Sequence, residues 1–133
     1  MNGYIYFEIQ ADDVQRAVDF YKNIFGWKIT RAQEEIPIEY WRIETRSKSG
    51  QAGGTRGGLL KRPAKAPPPQ SGTNAFVCSI EVENFDETAK KILKQGGQVA
   101  LPKFAVPGVC WQGYFLDQEG NTFGIFQVDE NAK

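Results

Sequence analysis

The amino-acid sequence of 133 residues predicts an α+β fold made of two tandem βαβββ modules. Residues 10–29 contain an amphipathic helix that runs directly into a strand, and the same pattern begins again 71 residues later. A stretch with four prolines, 61–73, separates the two patterns and is interpreted as a linker rather than as an SH3 or WW ligand. We therefore expect a single domain over residues 1–133, with module 1 at about 3–60 and module 2 at about 74–129.

The first predicted helix has an apolar face and clear end signals. Asp12 or Asp13 can cap its first free amides, and Gly26 ends it. Its inward residues recur at the i, i+3, i+4, i+7 spacing and are Val14, Ala17, Val18, Tyr21, Ile24 and Phe25. The second helix is predicted at 84–95, and Gly96-Gly97 should end it. Its inward residues should be Phe85, Ala89, Ile92 and Leu93. A shift of 71 residues overlays Val14 on Phe85 and Gly26 on Gly97.

Eight strands are predicted around the two helices, because short β-branched and aromatic runs lie between turn residues. They are 4–9, 27–31, 38–45 and 55–60 in module 1, and 75–82, 98–101, 109–116 and 122–128 in module 2. Turns or loops are predicted at 34–37, 46–54, 102–108 and 117–121. Trp27, directly after the first helix, is expected in the core. Alternation along the first strand places Tyr4, Tyr6 and Glu8 on one face, and the opposite face should meet the helix.

Composition excludes several kinds of function. Sixteen basic and sixteen acidic residues balance, so we expect no nucleic-acid partner and no anionic membrane surface. No segment approaches the ~18 to 20 apolar residues of a membrane span, which predicts a soluble, cytoplasmic protein. The sequence has no histidine, which excludes Ser-His-Asp and Cys-His arrangements. Cys78 and Cys110 have no zinc-type spacing and are predicted to be buried free thiols; a nucleophilic Cys110 is the less favoured alternative.

Two segments give the chain a family resemblance: FYKNIFGW at 20–27 and LDQEGNTFGIF at 116–126. Together with the duplication, they make it similar to the vicinal oxygen chelate superfamily, which includes glyoxalase I, extradiol dioxygenases and the bleomycin and fosfomycin resistance proteins. The resemblance covers about 4–128. It implies that the two modules form a curved mixed-sheet cup with the helices outside.

The resemblance also identifies the positions at which metal-dependent members carry His, Gln or Glu ligands, on the first and fourth strands of each module. The matching residues here are Tyr6, Gly58, Val77 and Gly124. Glycine and valine side chains offer no metal ligand. We therefore predict that the chain holds no metal and no other cofactor, and that the glycines widen the floor of a largely apolar pocket.

Seven side chains are candidates for ligand binding. They are Tyr4, Tyr6, Glu8, Trp41, Arg56, Trp111 and Phe126. Glu8 could be a general base or a cation acceptor, or it could pair with Arg42, Arg56 or another arginine across the sheet. Tyr6 could donate to a ligand oxygen or fill space. The two tryptophans could stack on a flat or cationic ligand, or pack in the core or in a dimer interface.

These observations favour a metal-independent protein that binds a small, aromatic or amphipathic molecule in the cup. The alternative is a diverged lyase or isomerase of the glyoxalase I type, either with Glu8 and Tyr6 as acid and base or with metal ligands not recognised here. Whether the protein is an enzyme stays open at this point. The resemblance also implies a homodimer, in which the modules could be paired within a chain or exchanged between chains.

Overall fold

The computed structural model describes residues 6–46, 52–64, 66, 68 and 77–133. The chain divides into two compact units, Met1–Pro67 and Pro68–Lys133. Within the described ranges, each unit has one helix and one mixed sheet of four strands. The predicted α+β class with a repeated βαβββ order is confirmed. No helix in this part of the chain is long and apolar enough to cross a membrane.

Unit 1 contains β1 (Phe7–Ala11), α1 (Val14–Phe25), β2 (Lys28–Arg31), β3 (Tyr40–Arg46) and β4 (Ala52–Lys61). The strand order in its sheet is β1-β4-β3-β2. Strand β1 is parallel to β4, and the other two pairs are antiparallel. The last strand of the unit therefore lies in the middle of the sheet, between the first and the third.

Unit 2 contains β5 (Ser79–Glu81), α2 (Phe85–Lys94), β6 (Gln98–Val106), β7 (Cys110–Leu116) and β8 (Thr122–Val128). Its strand order is β5-β8-β7-β6, with β5 parallel to β8 and the other pairs antiparallel. This is the topology of unit 1, strand for strand. The duplication predicted from the two strand–helix–strand patterns is present in the structure.

Helix α1 begins after Asp13, one of its two predicted caps, whereas Asn84, predicted as helical, is the N-cap of α2, which ends earlier than the overlay implies. The Asp13 side chain accepts a hydrogen bond from the Arg16 amide at 3.1 Å, and the Asn84 side chain caps α2 in the same way. Helix α1 ends at Gly26 with φ of 68°, and the left-handed glycine after α2 is Gly96, with φ of 93°. The overlay of Gly26 on Gly97 is therefore off by one residue, because α2 is shorter than α1.

Helix α1 packs through Trp27 onto the sheet of unit 1. The indole ring stacks on Tyr21 with centroids 5.4 Å apart and meets the edge of Phe7 at 6.1 Å. Trp27 is only 7% exposed, which confirms that it belongs to the core. The predicted apolar face of α1 is buried except for half-buried Phe25, and the face also includes Phe20, which the helical spacing did not identify.

Two burial predictions are wrong. Leu93 on α2 is 49% exposed, and the buried residues of this helix are Phe85 and Ile92. Cys78 is exposed rather than buried, since it lies before β5 and not inside a strand. Cys110 is a buried free thiol, as predicted.

The largest difference from the predicted strands is in β6. Residues 102–106 continue the strand, although the sequence predicts a loop from Pro102. The pairing with β7 shifts register between Val99 and Leu101 and again between Leu101 and Phe104. Proline is tolerated at such an irregularity on an edge strand, because no ladder hydrogen bond needs its missing N–H.

Smaller differences concern strand ends. Strand β4 begins at Ala52, inside the predicted loop 46–54, and residues 47–51 lie outside the described residues. Among the described residues 77–82 of the predicted strand 75–82, Ser79–Glu81 is strand. Strand β1 begins at Phe7, and most of the predicted linker 61–73 lies outside the described residues.

Candidate functional site

The two faces of the unit 1 sheet differ in chemistry. Phe7 contacts Trp27, which stacks on α1, so the face with Phe7 is the helix side. Because side chains alternate, the opposite face carries the even-numbered residues of the paired strands. In register on this open face lie Glu8 of β1, Gly58 of β4 and Arg42 of β3.

A hydrogen-bonded cluster covers Gly58 on the open face. Tyr40 donates to Glu8 Oε2 at 2.6 Å, and its hydroxyl lies 3.0 Å from the Tyr6 hydroxyl. A Cβ atom on Gly58 would lie 2.1 Å from Tyr40 Oη, so the phenol occupies the place that any side chain on this residue would need. We call Tyr6, Glu8 and Tyr40 the unit 1 polar cluster.

Partial burial, followed by the hydrogen bonds to Glu8 and Tyr6, raises the pKa of Tyr40 far above its usual value of 10. Tyr40 is therefore a neutral donor at physiological pH. The negative charge of the unit 1 polar cluster is the carboxylate of Glu8.

Unit 2 repeats the construction with different residues. Ser79 of β5 is in register with Gly124 of β8. Gln112 of β7 donates through Nε2 to Ser79 Oγ at 3.1 Å. A Cβ atom on Gly124 would lie 2.4 Å from Ser79 Oγ and 2.8 Å from Gln112 Nε2. We call Ser79 and Gln112 the unit 2 polar cluster; it is uncharged.

The position of Gly124 depends on the turn before β8. Asp117 is buried and its side chain accepts hydrogen bonds from the amides of Glu119 at 2.8 Å and Asn121 at 2.9 Å. The Asn121 side chain donates to the same carboxylate at 3.1 Å. These bonds fix the tight turn that was predicted at 117–121 and hence the register of β8 against β7.

The register also bears on the positions matched to family metal ligands. The residues opposite Gly58 and Gly124 on the first strands are Glu8 and Ser79 rather than Tyr6 and Val77. The described part of the chain contains no group of three or more His, Cys, Asp or Glu residues that could hold a metal ion. One carboxylate bonded to a phenol, together with a hydroxyl and an amide, does not fit a divalent metal site, which needs several converging donors.

Trp41 lies on the helix side of its sheet. It pairs with Leu59, and alternation places both on the face of Phe7. Its indole N–H donates to Glu39 Oε2 at 3.1 Å, and the guanidinium carbon of Arg31 lies 6.0 Å from the ring centroid. The structure does not bring Trp41 to the unit 1 polar cluster.

Trp111 is arranged in the same way in unit 2. Its N–H donates to Asp129 Oδ2 at 3.0 Å, and Lys103 Nζ lies 4.6 Å from its ring centroid. Lys103 also bonds Asp86 at the start of α2, at 3.2 Å. Hydrogen bonds from the Asn131 amide and then from Trp111 hold the pKa of Asp129 below its usual value. The Trp111 ring therefore contacts the ammonium group of Lys103 and does not contribute to the unit 2 polar cluster.

Of the other candidates, Arg56 is exposed on the open face of unit 1, opposite Glu44. Phe126 lies on the face of Gly124, opposite Gln112. Tyr4 lies outside the described residues.

Tyr40 and Gln112 were not predicted as site residues. Each lies on the third strand of its unit, one pleat away from the residue opposite the glycine, and leans across it. The sequence contained one indication: each is a long polar side chain two residues away from the residue opposite the glycine. Alternation therefore places it on the same face of the sheet. Using that signal requires the register between two strands, which is not contained in either strand alone.

The topology and the paired strands define a known class of protein. The chain belongs to the Glyoxalase/Bleomycin resistance protein/Dioxygenase superfamily, whose family model matches residues 3–125. This confirms the resemblance seen in the sequence.

Among individual relatives, a glyoxylase-like domain-containing protein of Didymella fabae is 32% identical over 120 residues, which cover 89% of this chain and 88% of that protein. The structure is similar to a glyoxylase/bleomycin resistance protein/dioxygenase domain from Frankia sp. EAN1pec, with a TM-score of 0.68, 16% identity and coverage of 97% and 99% of the two chains. It is also similar to the fosfomycin resistance protein FosX from Listeria monocytogenes, with a TM-score of 0.66, 15% identity and coverage of 97% and 95%. At these identities the two structures establish the shared fold.

Proposed function

We propose that this chain is a metal-independent small-molecule-binding protein whose binding surface in each unit is the open face of the sheet at its polar cluster. The observation that carries the proposal is the filled space above Gly58 and Gly124. In both units the position matched to a fourth-strand metal ligand is a glycine, and hydrogen-bonded neighbours occupy the space that a ligand side chain would take.

Equivalent residues of the two units occupy the space above the two glycines. Tyr40 and Gln112 come from equivalent strands, and each bonds the first-strand residue that lies opposite its glycine. A metal-ligating side chain at the glycine position of the fourth strand would have to displace this hydrogen bond. Metal binding at Gly58 or Gly124 would therefore require a rearrangement of the unit concerned.

The same faces have the composition of a small-molecule site. Half-buried Phe126 lies beside Gly124, and the polar clusters add a few fixed donors and acceptors. Apolar surface with a small number of placed polar groups is typical of such sites. In this proposal the ligand is aromatic or amphipathic, and the protein acts as a cytoplasmic homodimer.

One observation favours an enzyme as the second candidate. Glu8 is exposed, and one of its oxygens is held by Tyr40 at 2.6 Å. A carboxylate oriented in this way can exchange a proton with a bound molecule through its other oxygen. A diverged lyase or isomerase would use Glu8 as the acid and base, with Tyr6 as a donor to the substrate.

The test combines metal analysis with a ligand screen on untagged protein. We expect no stoichiometric metal after purification and no binding of Ni, Zn, Mn or Fe at micromolar concentration. Small molecules that raise the melting temperature should lose that effect in Tyr40→Phe and Glu8→Gln, but keep it in the control Glu44→Gln, which changes a carboxylate on the same face. A tightly bound stoichiometric metal would contradict the proposal, and turnover that depends on Glu8 would favour the enzyme.

A further inference from the structure

We infer that the unit 1 polar cluster binds an organic cation, a primary ammonium or guanidinium group, through the carboxylate of Glu8. This inference rests on the proposed binding function and names the chemical class of the ligand. It starts from the way in which the charges on the open face of unit 1 are paired.

Glu8 is a carboxylate on this face and has no cationic partner among the described residues. Its hydrogen-bond partner there is Tyr40, which occupies Oε2 and leaves Oε1 available. The neighbouring cation in register, Arg42, instead bonds Glu34 at 2.8 Å. That hydrogen bond lowers the pKa of Glu34 and raises that of Arg42, so these two charges satisfy each other. The alternative in which Glu8 pairs with Arg42 is therefore not the arrangement in the structure.

The groups around Glu8 suit a cation better than an anion. Tyr40 is neutral and has its proton directed at Glu8, so it offers no donor to a bound anion. Tyr6 is 50% exposed, and it presents both an oxygen acceptor and an aromatic ring next to the carboxylate. A carboxylate flanked by phenol rings attracts ammonium and guanidinium groups by charge-assisted hydrogen bonds and cation–π contact.

The donors around Glu8 suit an organic cation better than a bare divalent metal ion. One carboxylate and two phenols supply a single negative charge, whereas a divalent metal site needs several converging ligands.

Unit 2 provides a contrast inside the same molecule. Its polar cluster has Ser79 where unit 1 has Glu8, and Gln112 where unit 1 has Tyr40. Neither side chain is charged. The position opposite the glycine is therefore charged in unit 1 and neutral in unit 2, although both units have the same topology.

The test uses three probes with a shared phenyl frame: 2-phenylethylamine, 2-phenylethanol and phenylacetate. Each is titrated into the full-length, isotope-labelled protein, and amide shifts are followed by NMR. We expect the amine to bind about tenfold more tightly than the alcohol, which is the effect of one charge-assisted contact. Its shifts should centre on residues 6–8 and 40 and be absent at 79 and 112.

Two variants distinguish a direct contact between Glu8 and the amine from the electrostatic field of all charges on the open face of unit 1. Glu8→Gln keeps an oxygen that can accept from Tyr40, and it should remove the tenfold preference for the amine. Glu44→Gln removes one negative charge from the same face of the same sheet and should leave the preference intact. An equal loss in both variants would show that the preference is a field effect and would overturn the assignment to Glu8.

The remaining outcomes distinguish this inference from the function on which it rests. Binding of 2-phenylethanol or phenylacetate as tightly as the amine would overturn the cation inference while leaving the binding function in place. Absence of shifts with all three probes would also overturn the cation inference. The binding function would then be decided by the metal analysis and the ligand screen.

Discussion

A methyl group at Gly58 should disrupt the unit 1 polar cluster, and the size of the effect follows from the geometry. The new Cβ would lie 2.1 Å from Tyr40 Oη and 2.5 Å from Tyr40 Cζ, far inside ordinary contact distance. The phenol would have to withdraw by about 1 Å or more, since carbon contacts prefer roughly 3.5 to 4 Å. That movement breaks its 2.6 Å hydrogen bond to Glu8.

The loss of a hydrogen bond to a charged group costs about 1.5–3 kcal/mol. Replacement of glycine by alanine inside a strand returns roughly 0.5–1 kcal/mol, because the unfolded chain loses freedom. Gly58→Ala should therefore lower the free energy of unfolding by about 1–2 kcal/mol. In a Tyr40→Ala background the methyl group has no phenol to displace, so the same substitution should be neutral or slightly stabilising.

The assay is urea denaturation of the four proteins of this double-mutant cycle, followed by tryptophan fluorescence. The interaction energy between the two sites should be about 1.5–3 kcal/mol. If Gly58→Ala cost the same in both backgrounds, the phenol would not be what fills the space above Gly58. The explanation of the filled metal position would then be refuted for unit 1.

Three further predictions test other parts of the structure. Gly26→Ala should cost about 1 kcal/mol of unfolding free energy, because φ is 68° with no atom within 4 Å of the new methyl, whereas Gly26→Asn should cost less. Asp117→Ala should cost about 2–3 kcal/mol, since it leaves the amides of the β7–β8 turn unpaired; Asp86→Ala, which removes an exposed ion pair, should cost under about 1 kcal/mol in the same denaturation assay. The raised pKa of Tyr40 supplies stability that is present below pH 10 and is lost as pH rises above 10, because the unfolded phenol ionises first. Tyr40→Phe should flatten that decline when unfolding is measured from about pH 9 to 11, and an unchanged slope would contradict the assignment.

The elements that the sequence predicts well are those with local signals at both ends. Helix α1 has a 3.6-residue apolar period between Asp13 and Gly26, and its observed bounds follow that pattern. Strand β8 matches its prediction because the Asp117 turn fixes where it begins. Strand β6 does not match, since Pro102 signals a break in an isolated segment but is tolerated at the irregular edge of a sheet.

The site could be predicted only in part, because half of it depends on register between strands. Alternation along one strand was enough to place Glu8 and Tyr6 on the same side. The contributions of Tyr40 and Gln112 arise across neighbouring strands and could not be found from their own segments. The faces of the tryptophans were open for the same reason, and the cations that cover Trp41 and Trp111 come from adjoining strands.

The irregular edge strand β6 has a consequence for how the protein behaves at high concentration. Its exposed apolar side chains, Val99, Leu101, Phe104 and Val106, resemble a segment that could nucleate cross-β aggregation. Pro102 has no amide proton to offer an incoming strand, and the two register shifts leave only short stretches in line for pairing. Lys103 adds a charge at the same place. Pro102, which led to the prediction of a loop, thus also protects the edge of β6 from pairing with other chains.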